Sequence, residues 1–252
     1  MKSAPKSYPE LVRKLREIKN LGWVENTRPS NIHGSIGNTL EDLLGIKENN
    51  LSLPDFLDFE IKARRSNTSS VVSLFSKATA RRGNRKLFNK YNRIDSNDGI
   101  SRLYCSLYMN TPSLIHGKYL FSLSFDDFAN PQFINVEVED TATGEKLKEA
   151  EWSIESLKKS TEKKLTNLVL CTADIKQNSD GLELINYTNF KCYFDFSFNK
   201  FINALRDGHI QVDFRIGADL NGKAAFKYHD HGTGFRISSS KLEKLYDKWD
   251  II

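Results

Sequence analysis

Only three cysteines, two methionines and six prolines occur in 252 residues. Cys105, Cys171 and Cys192 are odd in number and far apart, with no CxxC spacing and no neighbouring histidine pair. That pattern excludes a disulfide framework and a structural zinc site, and it reads as buried thiols. No apolar run approaches the roughly 18 residues that span a bilayer, which excludes a chain threaded through membrane as helices. The opening MKSAPKSYPE has no apolar segment of the kind a signal peptide requires, so the expected location is the cytoplasm. Neither an internal repeat nor a low-complexity tract is present, which excludes solenoids and flexible linkers.

What is present is a soluble composition, 39% hydrophobic and 27% charged, in a chain long enough for a sizeable core. Segments of helical and strand period alternate throughout. Ser7 to Glu10 reads as a capping box before a helix with Leu11, Val12, Leu15 and Ile18 at helical spacing. GNTLEDLLG reads as a short helix capped by Asn38 or Thr39 and ended by Gly45, and SFNKFINALRDG as another. Strand patterns fall at SSVVSLFSKA, RLYCSLYM, YLFSLSFD, FINVEVED, LELINYT and FKCYFDF, while LVLCTADI reads as a strand buried on both faces. A helix is expected over Ile154 to Leu165 with a solvated lysine face, and a last short one around Leu242 to Trp249. The expected architecture is a single α/β body over 1–252 with a mixed central β-sheet flanked by helices. Within it, 1–110 is the catalytic part, and 111–252 a second part with recognition elements near 208–237.

The net charge is +5, and its distribution is uneven. From Ile61 through Ile94 there are ten cations and no acid, so the remainder sums to −5. Such a run, Arg81, Arg82, Arg85 and Lys86 above all, is suited to gripping phosphates. The stretch Arg81 to Arg93 reads as a short helix around Leu87 and Phe88 or as an irregular loop.

Immediately before that run stands LPDFLDFEIKARR. Asp55 follows a proline, four residues separate it from Glu60, and one lies between Glu60 and Lys62. If DFEIKA is a strand, Glu60 and Lys62 share a face, because side chains alternate along a strand. Asp55 then reaches that face across a tight hairpin turning near Leu57 and Asp58. Two carboxylates beside an ammonium are costly to desolvate for packing alone. They suit phosphodiester hydrolysis, in which hard oxygens hold Mg2+ and a lysine orients the attacking water. Glu41, off the apolar stripe of the preceding helix, is a candidate further ligand or water-positioning group. Asp58 competes with Asp55 for the first ligand position; Pro54 and the distance from Glu41 favour Asp55.

Toward the C-terminus, HIQVDFRIG sets Gln211, Asp213 and Arg215 on one strand face and Val212, Phe214 and Ile216 on the other. Arginine can pair with guanine, aspartate with cytosine and glutamine with adenine. An internal Asp213 to Arg215 pair is the plainer alternative. KYHDHGTGFRI adds His229, Asp230, His231 and Arg236 as candidate DNA contacts.

At Glu41, Asp55, Glu60 and Lys62, with the GNTLEDLLG lead-in, the chain resembles the PD-(D/E)XK nucleases, and within them the MutH-like branch that contains the MvaI/BcnI restriction endonucleases. The D-x-R strand followed by GTGFRI resembles the C-terminal part of the same group. That resemblance implies a restriction-endonuclease-like fold and a type II enzyme cutting double-stranded DNA to leave 5′-phosphates. It further implies Mg2+, with two-ion use open, held by Asp55, Glu60 and the backbone carbonyl of Ile61. A short pseudopalindromic site such as CCWGG or CCSGG, a monomer nicking the strands in sequence, and a cognate DNA methyltransferase encoded separately complete the implication. The competing functions are a MutH-like mismatch-repair nickase and a DNA-binding module without catalysis.

Overall fold

Leu11, Leu15 and Ile18 recur at three- and four-residue spacing and are all buried, so the first helix has one face to hide and a charged face to leave in water. Burying each of these side chains contributes roughly 1.5–3 kcal/mol. A computed structural model describes residues 4–29, 34–46, 54–68, 71–219, 227–230 and 233–252. In chain order the elements begin with α1 (Tyr8–Asn20), β1 (Trp23–Glu25), α2 (Ser35–Leu44), β2 (Glu60–Arg65) and β3 (Val71–Ser76). A 3-10 turn at Ala80–Arg82 leads into α3 (Gly83–Tyr91), followed by β4 (Arg93–Ile94), β5 (Ile100–Leu107), β6 (Ser113–Ile115), β7 (Tyr119–Phe125), β8 (Phe133–Asp140) and β9 (Lys146–Ser153). The remainder is α4 (Ile154–Leu165), β10 (Leu168–Gln177), β11 (Glu183–Phe196), α5 (Phe198–Arg206), β12 (Ile210–Asp219), β13 (Lys227–Asp230), β14 (Gly234–Ser238), a 3-10 segment at Ser239–Leu245 and β15 (Tyr246–Ile251). None of the described helices is long and apolar enough to cross a membrane.

Two compact units emerge, each assembled from separated stretches of chain. The first takes Met1–Val72, Thr161–Lys200 and Ser238–Ile252. Its sheet runs β1-β11-β10-β2, with β15 also on β11. β10 pairs parallel with β2 and antiparallel with β11, so the sheet is mixed. The strand read as buried on both faces, β10, is an interior one, as an apolar run without alternation requires. Leu11, Leu15, Ile36, Leu40 and Leu44 from α1 and α2 share a core with Phe59, Ile61, Val169, Cys171 and Tyr187. Ile61 thus faces the helices, and alternation turns Glu60 and Lys62 to the opposite side of β2.

The second unit takes Ser73–Ser160 and Phe201–Ile237. One of its sheets runs β3-β14-β12-β5-β4 with β13 on β12, and the other runs β6-β7-β8-β9. Trp152, Phe214 and Phe235 are buried there, with ring centroids 6.0 and 5.5 Å from Trp152.

Several local expectations are revised. Ser7 makes no side-chain cap on α1; its hydroxyl donates to Asp58 Oδ2 at 2.6 Å, tying the helix start to the hairpin. α2 begins at Ser35, ahead of Asn38 and Thr39, and the Thr39 hydroxyl instead accepts from the Thr27 N–H at 3.2 Å. Gly45 does end it, at φ 73°, where a Cβ would be strained. LELINYT and FKCYFDF form one strand, β11, with a bulge opposite Thr172/Ala173. β9 was absent from the expected strands because KLKEAEWS buries only Ala150 and Trp152. The helix expected over Leu242 to Trp249 is a 3-10 segment followed by β15. Its local spacing is helical, but pairing with β11 from Phe196↔Tyr246 to Lys191↔Ile251 satisfies a row of backbone groups that a helix would leave open.

Candidate active site

Pro54 to Lys62 is built around a two-residue turn. Phe56 and Phe59 exchange N–H to O bonds of 3.0 and 2.9 Å, and Leu57 between them takes a left-handed φ of 54°. Phe59 is buried with its ring 6.0 Å from that of Phe194, which anchors the turn. The hairpin carries Asp55 back along the outer edge of β2, the terminal strand of its sheet among the described residues. There Asp55 Oδ2 accepts the Ile61 N–H at 2.9 Å. A strand residue's N–H and C=O point to the same side, so the Ile61 carbonyl also faces that open edge.

Glu60 is 1% exposed. Its Oε1 accepts from Lys62 Nζ at 2.6 Å and has Lys164 Nζ at 3.7 Å, while Oε2 is buried with no hydrogen-bond partner. Burial first, and then the Asp55 carboxylate, push the Glu60 carboxyl above the usual carboxylate range against the pull of Lys62 and Lys164. A buried acceptor with an unused oxygen beside a second carboxylate calls for a cation. Glu41 stands half-buried on α2, which packs on β2. Among the described residues no three His, Cys, Asp or Glu side chains gather closely enough to share an ion, so Glu41, Asp55 and Glu60 are not one cluster. Asp58 is in the turn, with Oδ2 on Ser7, and the Ile61 N–H is held by Asp55 instead.

In the second unit, Arg81, Arg82, Arg85 and Lys86 are all exposed, and none enters an ion pair among the described residues. Arg81 and Arg82 both take left-handed φ, 52° and 59°, just ahead of α3. Of the two readings of this stretch the helix is the one formed, with Leu87 and Phe88 buried. On β12, Gln211 is half-buried, Asp213 is 1% exposed and Arg215 is exposed. Both Asp213 oxygens are engaged: Oδ1 accepts from Ser106 Oγ at 2.6 Å, and Oδ2 from Arg215 Nε at 2.8 Å and Arg236 Nη2 at 3.2 Å. Arg215 also lies over the Tyr104 ring, 5.5 Å from its centroid. Arg236 keeps a buried Nε without a partner, and its chain occupies the space above Gly234, where a Cβ would come within 3.1 Å of that nitrogen. His229 and Asp230 are on β13, opposite Gly217 and Ile216. His231 falls outside the described residues.

The model of the MvaI/BcnI restriction endonuclease family matches residues 12–246. The chain belongs to the MvaI/BcnI restriction endonuclease family. A solved structure of the restriction endonuclease MvaI with cognate DNA substrate is 30% identical, with a TM-score of 0.86 and 99% of each chain covered. MvaI in the absence of DNA is 31% identical with a TM-score of 0.62 and 100% of each chain covered. No curated protein matches. This MvaI/BcnI-family chain is therefore a restriction endonuclease with the family's α/β fold: a DNA-binding, site-specific deoxyribonuclease of a class that works with a divalent metal.

Two side chains near the MvaI/BcnI-family hairpin escape a reading of the sequence. Lys164 sits among lysines that look like a solvated face, yet it is in the last turn of α4, just ahead of β10. Because β10 runs parallel to β2 with Leu168 opposite Glu60, that turn delivers Lys164 to the Glu60 carboxylate. The second, Tyr246, has a buried hydroxyl with no partner, and burial first and the Glu60 charge second hold it well above the normal tyrosine range. Its signal was hidden by the helical spacing of the segment that contains it.

Proposed function

We propose that the chain is a type II restriction endonuclease that hydrolyses double-stranded DNA with Mg2+ and leaves 5′-phosphates. It acts as a monomer that nicks the two strands in turn at a short, nearly palindromic site such as CCWGG or CCSGG. It works in the cytoplasm beside a separately encoded DNA methyltransferase. The observation that carries this reading is the hairpin that hands Asp55 to the Ile61 N–H on the open edge of β2, beside a buried Glu60 with an unused oxygen. The similarity to MvaI solved with cognate DNA supports a double-stranded DNA substrate.

The donor set fits Mg2+. Asp55, Glu60 and the Ile61 carbonyl offer hard oxygens, and Mg2+ takes one or two carboxylates and keeps waters for substrate. A divalent ion bound there polarises the scissile phosphate and makes water a better nucleophile at neutral pH. The chain's own groups do the rest. Lys62, released from Glu60 Oε1, orients the attacking water and stabilises the charge that builds on the phosphate oxygens. Glu41 positions that water from α2. Arg81, Arg82, Arg85 and Lys86 neutralise phosphates, while Arg215 and Arg236, with Gln211, His229, Asp230 and His231, are the contacts to bases. Asp213, its oxygens already engaged, contributes to DNA reading by holding the two arginines.

A supercoiled plasmid carrying one mapped site tests the proposal. Under single-turnover conditions, nicked circles should precede linear DNA, and with DNA in excess the rate should rise linearly with enzyme. Asp55→Ala and Lys62→Ala should each lower cleavage by about 10²-fold or more while specific binding persists. Concerted cleavage by a stable dimer would remove the monomer, and a Lys62→Ala protein cutting near the wild-type rate would remove the catalytic assignment.

A further inference from the structure

Asn84 is the second residue of α3, one past Gly83 and the left-handed Arg81 and Arg82, and it is 3% exposed. A primary amide has two N–H donors and two acceptor lone pairs, and Asn84 uses all four. Oδ1 accepts from the Thr79 backbone N–H at 3.1 Å and from the Thr79 hydroxyl at 2.8 Å. Nδ2 donates to Asp230 Oδ2 at 2.8 Å and to Thr233 Oγ1 at 2.8 Å. Thr79 opens the basic turn. Asp230 ends β13, and Thr233, 0% exposed, directly precedes β14.

Three further contacts tie the same two pieces of chain together. The Lys77 N–H donates to the Thr233 carbonyl at 2.8 Å. Within β13, Tyr228 donates to the Asp230 oxygen that Asn84 also holds, at 3.2 Å; the other two contacts come from its ring. The Tyr228 ring meets Phe88 edge-on at 5.5 Å and carries the Arg85 guanidinium 5.4 Å above it. Gly83 belongs to this packing as well, since a Cβ there would come within 2.4 Å of Thr79 Oγ1 and 2.9 Å of the Ala150 methyl. The turn cannot shift outward without breaking the amide's bonds, nor inward past Thr79 and Ala150.

We propose that Asn84 is a positioning and specificity-determining residue: it locks the phosphate-gripping turn Thr79–Lys86 to the end of β13 and the start of β14, which lie in succession along β12, so that grip on the backbone and reading of bases are one coupled event. This rests on the reading of the two elements as DNA contacts. Phosphate contacts fix register, and base contacts supply specificity. If the two were independent, a phosphate grip in any register would leave β13 and β14 free to adapt, and a wrong base pair would be penalised only by its own lost bonds. With Asn84 fully bonded to both, a displacement of β13 and β14 by a wrong base must also displace Arg81, Arg82 and Arg85 from their phosphates. The buried amide thereby adds the backbone contacts to the cost of a mismatch.

The test uses the full-length enzyme and two duplexes, one with the sequence that wild type cuts in a digest of mixed-sequence DNA and one differing at a single base pair. In Asn84→Ala the ratio of cleavage rates on the two duplexes should fall about ten-fold, while affinity for random DNA and its salt slope stay within about two-fold of wild type. Adding Arg236→Ala to Asn84→Ala should then cost less discrimination than Arg236→Ala costs alone. Thr233→Val, which removes one acceptor of the amide at a site too buried to touch DNA, should move the ratio in the same direction by a smaller factor. It keeps the question answerable should Asn84→Ala fail to fold. A folded variant with an unchanged ratio, or with equal losses on cognate and random DNA, overturns the coupling. Failure of wild type to cut any specific sequence overturns the functional reading, and this inference with it.

Discussion

Asp213→Asn removes a charge from the one carboxylate that two arginines share. Asp213 is 1% exposed and accepts from Ser106, Arg215 and Arg236. At the effective dielectric of a partly buried site, two unit charges about 4 Å apart interact by roughly 4 kcal/mol. Breaking a buried pair by removing one partner costs about 3–5 kcal/mol. The arginine side chains are 44% and 30% exposed, so water recovers part of that loss. The amide also turns an N–H toward guanidinium donors. The expected loss of stability is therefore about 2–3 kcal/mol, read from the urea midpoint at constant m. Loss of orientation should cost more in function than in fold. Arg215→Ala and Arg236→Ala should each weaken cognate binding by roughly 1–3 kcal/mol. Asp213→Asn should lose at least as much as either, and all three should leave random DNA nearly untouched. A folded Asp213→Asn enzyme with wild-type stability and wild-type discrimination would refute the reasoning, because the carboxylate would then be holding nothing the enzyme uses.

Each alanine at Arg81, Arg82, Arg85 or Lys86 should weaken cognate and random DNA alike and reduce the salt slope by about 1; a slope that does not change removes that residue from the phosphate contacts. Lys164→Ala removes an ammonium 3.7 Å from Glu60, which should tighten Mn2+ binding, measured by calorimetry without DNA, by about three-fold. Unchanged or weaker ion binding would separate Lys164 from the centre. Asp58→Asn should cost only about 1 kcal/mol of stability through its bond to Ser7 and leave cleavage largely intact, in contrast to Asp55→Ala.

The hairpin was legible because its signals are local: a proline before Asp55, a two-residue turn and the period of a strand. Burial of Ile61 on one side and placement of Glu60 and Lys62 on the other follow from alternation alone. β10 was legible for the complementary reason, since a continuous apolar run has no face left for water. What stayed hidden depends on pairing. β15 looks helical until the open side of β11 is known, and Lys164 looks solvated until β10 is known to run parallel to β2. Asp213 was legible as a polar position, but its depth was not. Only the approach of β14, with Gln211 opposite Arg236, brings a second guanidinium to the same carboxylate. Tertiary partners of polar side chains leave no periodic trace in a sequence.

The location of the proposed centre follows from a difficulty that every open sheet meets. A terminal strand presents unpaired N–H and C=O groups, which invite pairing with another chain. β2 is terminal in its sheet among the described residues, and on its outer side the Ile61 N–H is taken by a side chain rather than a strand. An aspartate in that place satisfies the donor, and its negative charge then stands beside the Ile61 carbonyl and the buried Glu60. Two carboxylates and a carbonyl cannot satisfy one another, since all three are acceptors. They need donors or a cation, and the lysines supply the first at Glu60 Oε1 while Oε2 goes without. The same acceptors that protect the edge from a foreign strand therefore create an unmet demand for positive charge at that edge. In the proposed enzyme the protected edge and the catalytic centre are one arrangement. A change that frees the Ile61 N–H there, such as Asp55→Ala, should remove cleavage and expose the edge together.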